Sequence, residues 1–180
     1  KRLEGETGEI PEKSLESIQD LPDAETLDGK LENIGRENFS RTVFLKLNGG
    51  LGTSMGLEKA KSLLKVKEDY SFLDIIAHQS MKGGYRLLLM NSFSTQEDSL
   101  NYLKKYSGLG RDLPLDFLQH KSPKVRQSDY APVNWPDNPQ LEWSPPGHGD
   151  LYVALYSRGV LDQLIQAGFR YAFISNADNL

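Results

Sequence analysis

The 180 residues include no cysteine. That excludes disulfides and thiolate metal sites, and it is compatible with a cytosolic chain. No apolar run reaches 18 residues, so no transmembrane helix is predicted. Basic residues do not predominate either. The formal net charge of −4 argues against an electrostatic nucleic-acid binder. No secretory or twin-arginine pattern opens the chain, and no internal repeat runs through it. There is no initiator methionine, and the last residues follow directly on an Asp178-Asn179 pair that reads as a site. Both observations leave two readings open, a piece of a longer protein and a tightly bounded domain.

What is abundant is glycine, in one place. The apolar run Val43-Phe44-Leu45-Lys46-Leu47 stops at Asn48 and meets Gly49, Gly50, Gly52 and Gly56. A buried strand feeding such a loop suits a nucleotide site, because backbone N–H groups without a Cβ nearby can approach a base or phosphate closely. Two familiar loops are excluded by counting. No glycine pair has the spacing of a P-loop before a lysine, and Met55 stands where a dinucleotide fingerprint needs its third glycine. From the loop alone, a plain turn and a ligand loop are equally good readings.

The remainder alternates between strand and helix patterns. Residues 1–40 are polar and acidic, with Pro11 and Pro22, and read as an N-terminal arm with a short amphipathic helix around Leu15, Ile18 and Leu21. Residues 62–66 read as extended. Ser71 is placed to cap a helix through Leu73, Ile75, Ile76 and His78 that ends at Gly83-Gly84. Residues 85–90 form a second buried strand, and Ser94 or Thr95 starts a helix carrying Leu100 and Leu103. Residues 117–119 are a third, short strand. Residues 128–147, with both tryptophans and several prolines, read as a long irregular loop packed over a site. Helices follow from Gly149 to Tyr156 and through Val160, Leu161, Leu164 and Ile165, and residues 169–174 form the fourth strand. The expected fold is α/β, with a doubly wound, mostly parallel sheet. Ligands bind such sheets beyond the carboxyl ends of strands, where Asn48, Asn91, Gln119 and Asn176 fall.

Five blocks carry a resemblance: Leu47-Asn48-Gly49-Gly50-Leu51-Gly52-Thr53-Ser54-Met55-Gly56 with Lys61-Ser62; Leu89-Met90-Asn91-Ser92-Phe93; Phe117-Leu118-Gln119 with Pro123-Lys124; Pro145-Pro146-Gly147-His148-Gly149-Asp150; and Ser175-Asn176-Ala177-Asp178-Asn179-Leu180. In this order the chain resembles the UTP–glucose-1-phosphate uridylyltransferase (UDP-glucose pyrophosphorylase) family. N-acetylhexosamine relatives typically carry Arg-Leu at Ser54-Met55, which favours the glucose branch. The family usually has Gly-Pro where this chain has Lys59-Ala60, and Pro-Arg at Pro123-Lys124. The resemblance implies a Rossmann-like fold of the nucleotide-diphospho-sugar transferase type. Residues 41–180 would be the nucleotide-binding part of its catalytic domain, truncated at the C-terminus, because the family continues well beyond this point; the resemblance thus favours a piece of a longer enzyme.

The implied reaction is in-line attack of glucose 1-phosphate on the α-phosphorus of UTP, with pyrophosphate leaving. It needs backbone donors, a cation and a metal-holding carboxylate, and no covalent intermediate on the protein. By resemblance Leu47, Asn48, Gly49 and Gly50 meet the nucleotide, with Gly49 and Gly50 also near the sugar phosphate. Lys61 is the catalytic phosphate-binding cation, with Lys59 the alternative if Ala60 alters the turn. Gln119 faces uracil, since an amide both donates and accepts. Gly147 touches the nucleotide and His148 the sugar phosphate. Asn176, Ala177 and Asp178 bind the substrate, with Asn176 favoured over Asn179 to reach sugar hydroxyls or ribose, and Asp178 also reaches the nucleotide and holds Mg²⁺. Each has an ordinary counterpart: a solvated lysine for Lys61, an Asx turn for Asp178, a surface residue for His148, core packing for Met90. His78 and His120 read as structural. The expected partners are UTP and glucose 1-phosphate, with no nucleic acid and no membrane. The alternatives are a pyrophosphorylase for another sugar or base, or a non-catalytic nucleotide-sugar-binding module, which would not need both Lys61 and Asp178.

Overall fold

The computed structural model describes residues 9–52, 56, 59–110 and 112–180. The tip of the glycine-rich loop, including the Ser54-Met55 pair expected to mark the glucose branch, lies outside the described residues, as do residues 1–8. Lys1–Glu37 and Asn38–Leu180 form two compact units.

In the first unit the helix expected around Leu15, Ile18 and Leu21 does not form. These side chains are exposed and the backbone there makes only a 3-10 turn at Glu12–Ser14. An isolated apolar stripe with nothing to pack against gives a short helix little stability. The helix lies later, at α1 (Gly29–Asn38), despite a glycine at its first position and another, Gly35, inside it. Asp28 caps it by accepting the Lys30 N–H at 3.0 Å, and Arg36 reaches back one turn to Glu32 at 3.1 Å.

The second unit is built on β1 (Thr42–Asn48). A small antiparallel pair, β2 (Lys65–Lys67) with β3 (Tyr70–Ser71), leads into α2 (Phe72–Gly83). Ser71 caps α2 as expected, in a reciprocal capping box with Asp74, and Gly84 closes it at φ 67°. Then come β4 (Arg86–Asn91), α3 (Gln96–Leu103), β5 (Asp116–Leu118), a β6 (Ser122–Pro123) and β7 (Trp143–Ser144) ribbon, α4 (Leu151–Ser157), α5 (Val160–Gln166) and β8 (Tyr171–Asn176). The main sheet has order β5-β4-β1-β8 and is parallel throughout. Alternate residues of β4 supply its two faces. Leu87 and Leu89 join Leu73, Ile76, Ala77 and Leu103 of α2 and α3; Leu88 and Met90 join Val43, Leu45, Phe117 and the α4–α5 residues Leu151, Ala154, Val160 and Leu164. The sheet is doubly wound, as the alternating pattern predicts. Met90 belongs to this core.

Three boundaries differ from expectation. Lys61–Leu63 is a 3-10 turn and not extended, because Leu63 and Leu64 bond back to Ala60 and Lys61. The last strand starts at Tyr171, two residues late, because Phe169 is still bonded to Leu164 O at the end of α5. Residues 128–147 are less irregular than expected. Lys124 and Val133 bond across to Glu142 and Lys124, and Trp135 N–H bonds to the Glu142 carboxylate, so the excursion organises itself. Both tryptophans remain well exposed and neither lines the cavity described below.

Candidate active site

The sheet order places a topological switch between β1 and β8: the chain moves from β1 outward through β4 and β5, then returns to the other side of β1. The loops leaving two such strands diverge, and a crevice opens at their carboxyl ends. A cavity of about 220 Å³ lies there, lined by Leu47, Asn48, Gly50, Lys61, Ser62, His148, Asn176, Ala177 and Asp178. A larger one, about 450 Å³, lies around Tyr85, Arg86, Leu113 and Phe169 at the opposite strand ends, away from the loop and the carboxylate. Size alone would choose the wrong cavity; the loop chemistry is in the smaller.

The loop folds back on itself. Lys61 N–H donates to Gly50 O and Gly52 N–H to Lys59 O, each at 3.1 Å, with Leu51 opposite Ala60. This pairing sets Lys61 beside the first glycines. Ala60 holds φ −52°, within the range a proline ring imposes, so the departure from Gly-Pro leaves the turn in place. Lys59 is exposed. Lys61 Nζ lies 2.6 Å from Asp178 Oδ2. The Lys61 hydrogen bond holds the Asp178 carboxyl below the usual range; burial opposes this, and the charges of Lys61 and nearby His148 add to it.

Asp178 stands in a turn fastened from below. Ala177 N–H donates to Leu47 O at 3.0 Å and Asn179 N–H to Asn176 O at 3.1 Å. The buried ammonium of Lys46, whose pKa desolvation lowers, donates to Asn179 O at 2.6 Å. Lys46 was not among the expected site residues. A single lysine inside an apolar strand was the signal.

Asn48 forms part of the cavity wall, but its amide is committed inward to Asn91, Ser99 and Ser62. Asn91 is likewise buried and bonded to Asp116. Gly49 abuts Gln119: a Cβ at Gly49 would sit 1.9 Å from Gln119 Nε2, so any other residue there would displace the Gln119 amide. Gln119 is buried, its backbone N–H on Asn91 O, and its Oε1 has no partner among the described residues. Gly147 adopts φ 106°, ψ −177°, a conformation reserved for glycine, and turns the chain so that His148 reaches the cavity. Asp150 anchors that turn, accepting from His120 N–H at 2.7 Å and pairing with its Nδ1 at 2.9 Å. His120 is thus structural, and His78 stacks edge-on between Tyr70 and Tyr106.

One ammonium, one carboxylate, a glycine backbone and an amide oxygen without a partner among the described residues lie at the switch point of a doubly wound α/β sheet. The family model for UTP–glucose-1-phosphate uridylyltransferase matches residues 3–180, and the chain belongs to that family. The UTP–glucose-1-phosphate uridylyltransferase of Saccharomyces cerevisiae is 43% identical over 156 residues, 83% of this chain and 31% of that protein. The crystal structure of UDP-glucose phosphorylase from Trypanosoma brucei superposes with a TM-score of 0.80 at 43% identity, covering 98% of this chain and 37% of that one. A variant of the Leishmania major UDP-glucose pyrophosphorylase, solved with UDP-glucose, gives 0.83 at 38% identity, covering 99% and 38%. The chain therefore spans about a third of the length of the relatives it matches.

Proposed function

We propose that these residues form the nucleotide-binding part of an enzyme that joins UTP to glucose 1-phosphate, giving UDP-glucose and pyrophosphate. The observation that carries the reading is the 2.6 Å Lys61–Asp178 pair on a cavity at the switch point. A phosphate oxygen of the sugar phosphate attacks the α-phosphorus in line, and the bond to the pyrophosphate oxygen breaks. The nucleophile is already an anion, so His148 orients it and need not act as a base. As a triphosphate enters, Lys61 turns its ammonium from Asp178 to phosphate oxygens, a task that suits a compact, mobile charge. Gly49 and Gly50 bring backbone to the nucleotide. Gln119 Oε1, which has no partner among the described residues, accepts from the uracil N3–H. Asn176 and Ala177 face the sugar phosphate.

The donor set suits Mg²⁺. The described residues contain no cluster of three or more acidic, histidine or cysteine ligands, and a hard ion that completes its shell with phosphate oxygens needs few protein carboxylates. Asp178 would hold it, and its charge would offset that of the phosphates. No helix among the described residues is long and apolar enough to cross a membrane, and a cysteine-free chain fits a reducing, cytoplasmic setting.

The test is pyrophosphate release from UTP, glucose 1-phosphate and Mg²⁺, measured with these 180 residues, with a full-length protein containing them and with its Asp178→Asn variant. Only the unmodified full-length protein should turn over. Turnover by the 180 residues alone would show that the site needs nothing further. An active Asp178→Asn variant would remove Asp178 from the metal, and preference for another sugar 1-phosphate would move the substrate assignment.

A further inference from the structure

A line of buried polar side chains runs inward from the residue after Lys61. Ser62 Oγ donates to Asn48 Oδ1. Asn48 Nδ2 donates to Asn91 Oδ1 at 2.7 Å and to Ser99 Oγ at 2.8 Å. Asn91 Nδ2 donates to Asp116 Oδ2 at 2.9 Å, and Gln96 Nε2 reaches the same oxygen at 2.9 Å. Ser62, Asn48, Asn91 and Ser99 are all 3% exposed or less. The line crosses from the Lys61–Leu63 turn through the ends of β1 and β4 to the start of β5.

Its direction is dictated from the far end. A carboxylate oxygen only accepts, so Asn91 must turn its nitrogen to Asp116 and its oxygen to Asn48. Asn48 must then turn its nitrogen to Asn91, leaving its oxygen for Ser62, whose hydroxyl has one proton to give. Rotating either amide by half a turn sets like against like and strands a buried polar group, which is the costly outcome in a dry interior. One arrangement survives, and it fixes how deep the Ser62 side chain sits. Lys61 begins the same turn, with its own N–H on Gly50 O and a flexible side chain that is 44% exposed. The side chain can reorient, but its root cannot.

We infer that Ser62 and Asn48, oriented through Asn91 by Asp116, are positioning residues for Lys61. The inference rests on the reading of Lys61 as the cation that meets the triphosphate. Ser62 and Asn48 line the cavity yet direct their polar atoms away from it, so a ligand meets the backbone they hold and not the side chains themselves. A network that served stability alone would affect every ligand equally. One that serves Lys61 affects the phosphates and spares the base.

Isothermal titration of the 180-residue chain with UTP and with uridine separates these cases, using Ser62→Ala, Lys61→Ala and the double variant. Losing one such hydrogen bond corresponds to about a 2- to 10-fold effect. Ser62→Ala should weaken UTP by about that factor and leave uridine unchanged. In the Lys61→Ala background it should change UTP affinity less than about two-fold, because interacting positions are not additive. Asp116→Asn, two links from Asn48 and less buried, guards against a Ser62 variant that does not fold; it should weaken UTP by a smaller factor and again spare uridine. Equal losses for UTP and uridine, or the same Ser62→Ala factor with and without Lys61, would overturn the inference while leaving the functional reading intact. A wild-type chain that takes no UTP overturns the functional reading, and this inference with it.

Discussion

Two aspartates, Asp74 and Asp178, each pair with a lysine, and the contrast between them separates scaffold from site. Asp74, in the first turn of α2, is 2% exposed at its side chain. It accepts from Ser71 N–H at 2.7 Å, Ser71 Oγ at 2.8 Å, Tyr102 OH at 2.6 Å, Tyr106 OH and Lys105 Nζ. Burial alone would raise its pKa, but these donors outweigh burial and hold it far below the usual carboxylate range. The reciprocal effect, added to burial, pushes the Tyr106 phenol up to about 12. Asp178 lies at a strand end, 29% exposed, with Lys61 its only side-chain partner among the described residues. A carboxylate whose lone pairs are all taken can only build; one with capacity to spare, beside a cavity, can bind. Asp74 ties α2 to the end of α3, whereas Asp178 faces the cavity.

The contrast predicts opposite phenotypes. The largest effect is expected at the open pair: Lys61→Ala in the full-length protein should slow turnover by about 10²- to 10³-fold, roughly 2.7–4 kcal/mol of transition-state stabilisation. The thermal midpoint should hardly move. Asp74→Ala should do the reverse. It strips several donors of a shared buried acceptor and removes the Asp74 half of the α2 capping box, at about 3 kcal/mol of stability. UTP affinity of the molecules that remain folded should be unchanged. Calorimetry and titration on the two variants break the comparison if either phenotype falls on the wrong side.

Acid sharpens it further. Both aspartates have folded pKa values depressed below the ordinary 3.8, so each contributes stability that is present above that value and lost as pH falls through its folded pKa. Asp74 is shifted much further. Asp74→Asn should therefore flatten most of the loss of stability below pH about 3.8 that the wild type shows, and Asp178→Asn should flatten little. Urea midpoints measured down that acid limb decide this. The smallest effect is expected at Ala60, whose φ already suits proline. Ala60→Pro should leave UTP binding intact and add about 0.4–1 kcal/mol by restricting the unfolded chain. A loss of UTP affinity would show that the turn into Lys61 needs the freedom alanine gives.

The sequence discloses the parts of this molecule governed by local periodicity. The apolar run of β1, the Ser71 cap and the glycine pair that ends α2 all come into place, while Lys61 and Asp178, singled out in the sequence by resemblance, meet on the cavity wall. What it hides depends on contacts between distant segments. The amide of Asn48 looks available to a ligand in the sequence, and only its bonds to Asn91 and Ser99, more than forty residues away, reveal that it is committed inward. Lys46 and Ser62 escape notice for the same reason. The arm misleads in the other direction: Leu15, Ile18 and Leu21 have helical spacing but stay exposed and form no helix, while the glycine-bearing α1 forms with a capped start and an Arg36–Glu32 pair one turn apart.

The most direct test observes both carboxylates in one experiment. With ¹³C-labelled aspartate, the side-chain carboxyl resonances of Asp74 and Asp178 can be followed while UTP and Mg²⁺ are added to the 180-residue chain. The account predicts that the Asp178 resonance moves with ligand, that Lys61→Ala changes this response, and that Asp74 stays still throughout. A stationary Asp178 beside a shifting Asp74 would contradict the assignment of scaffold and site.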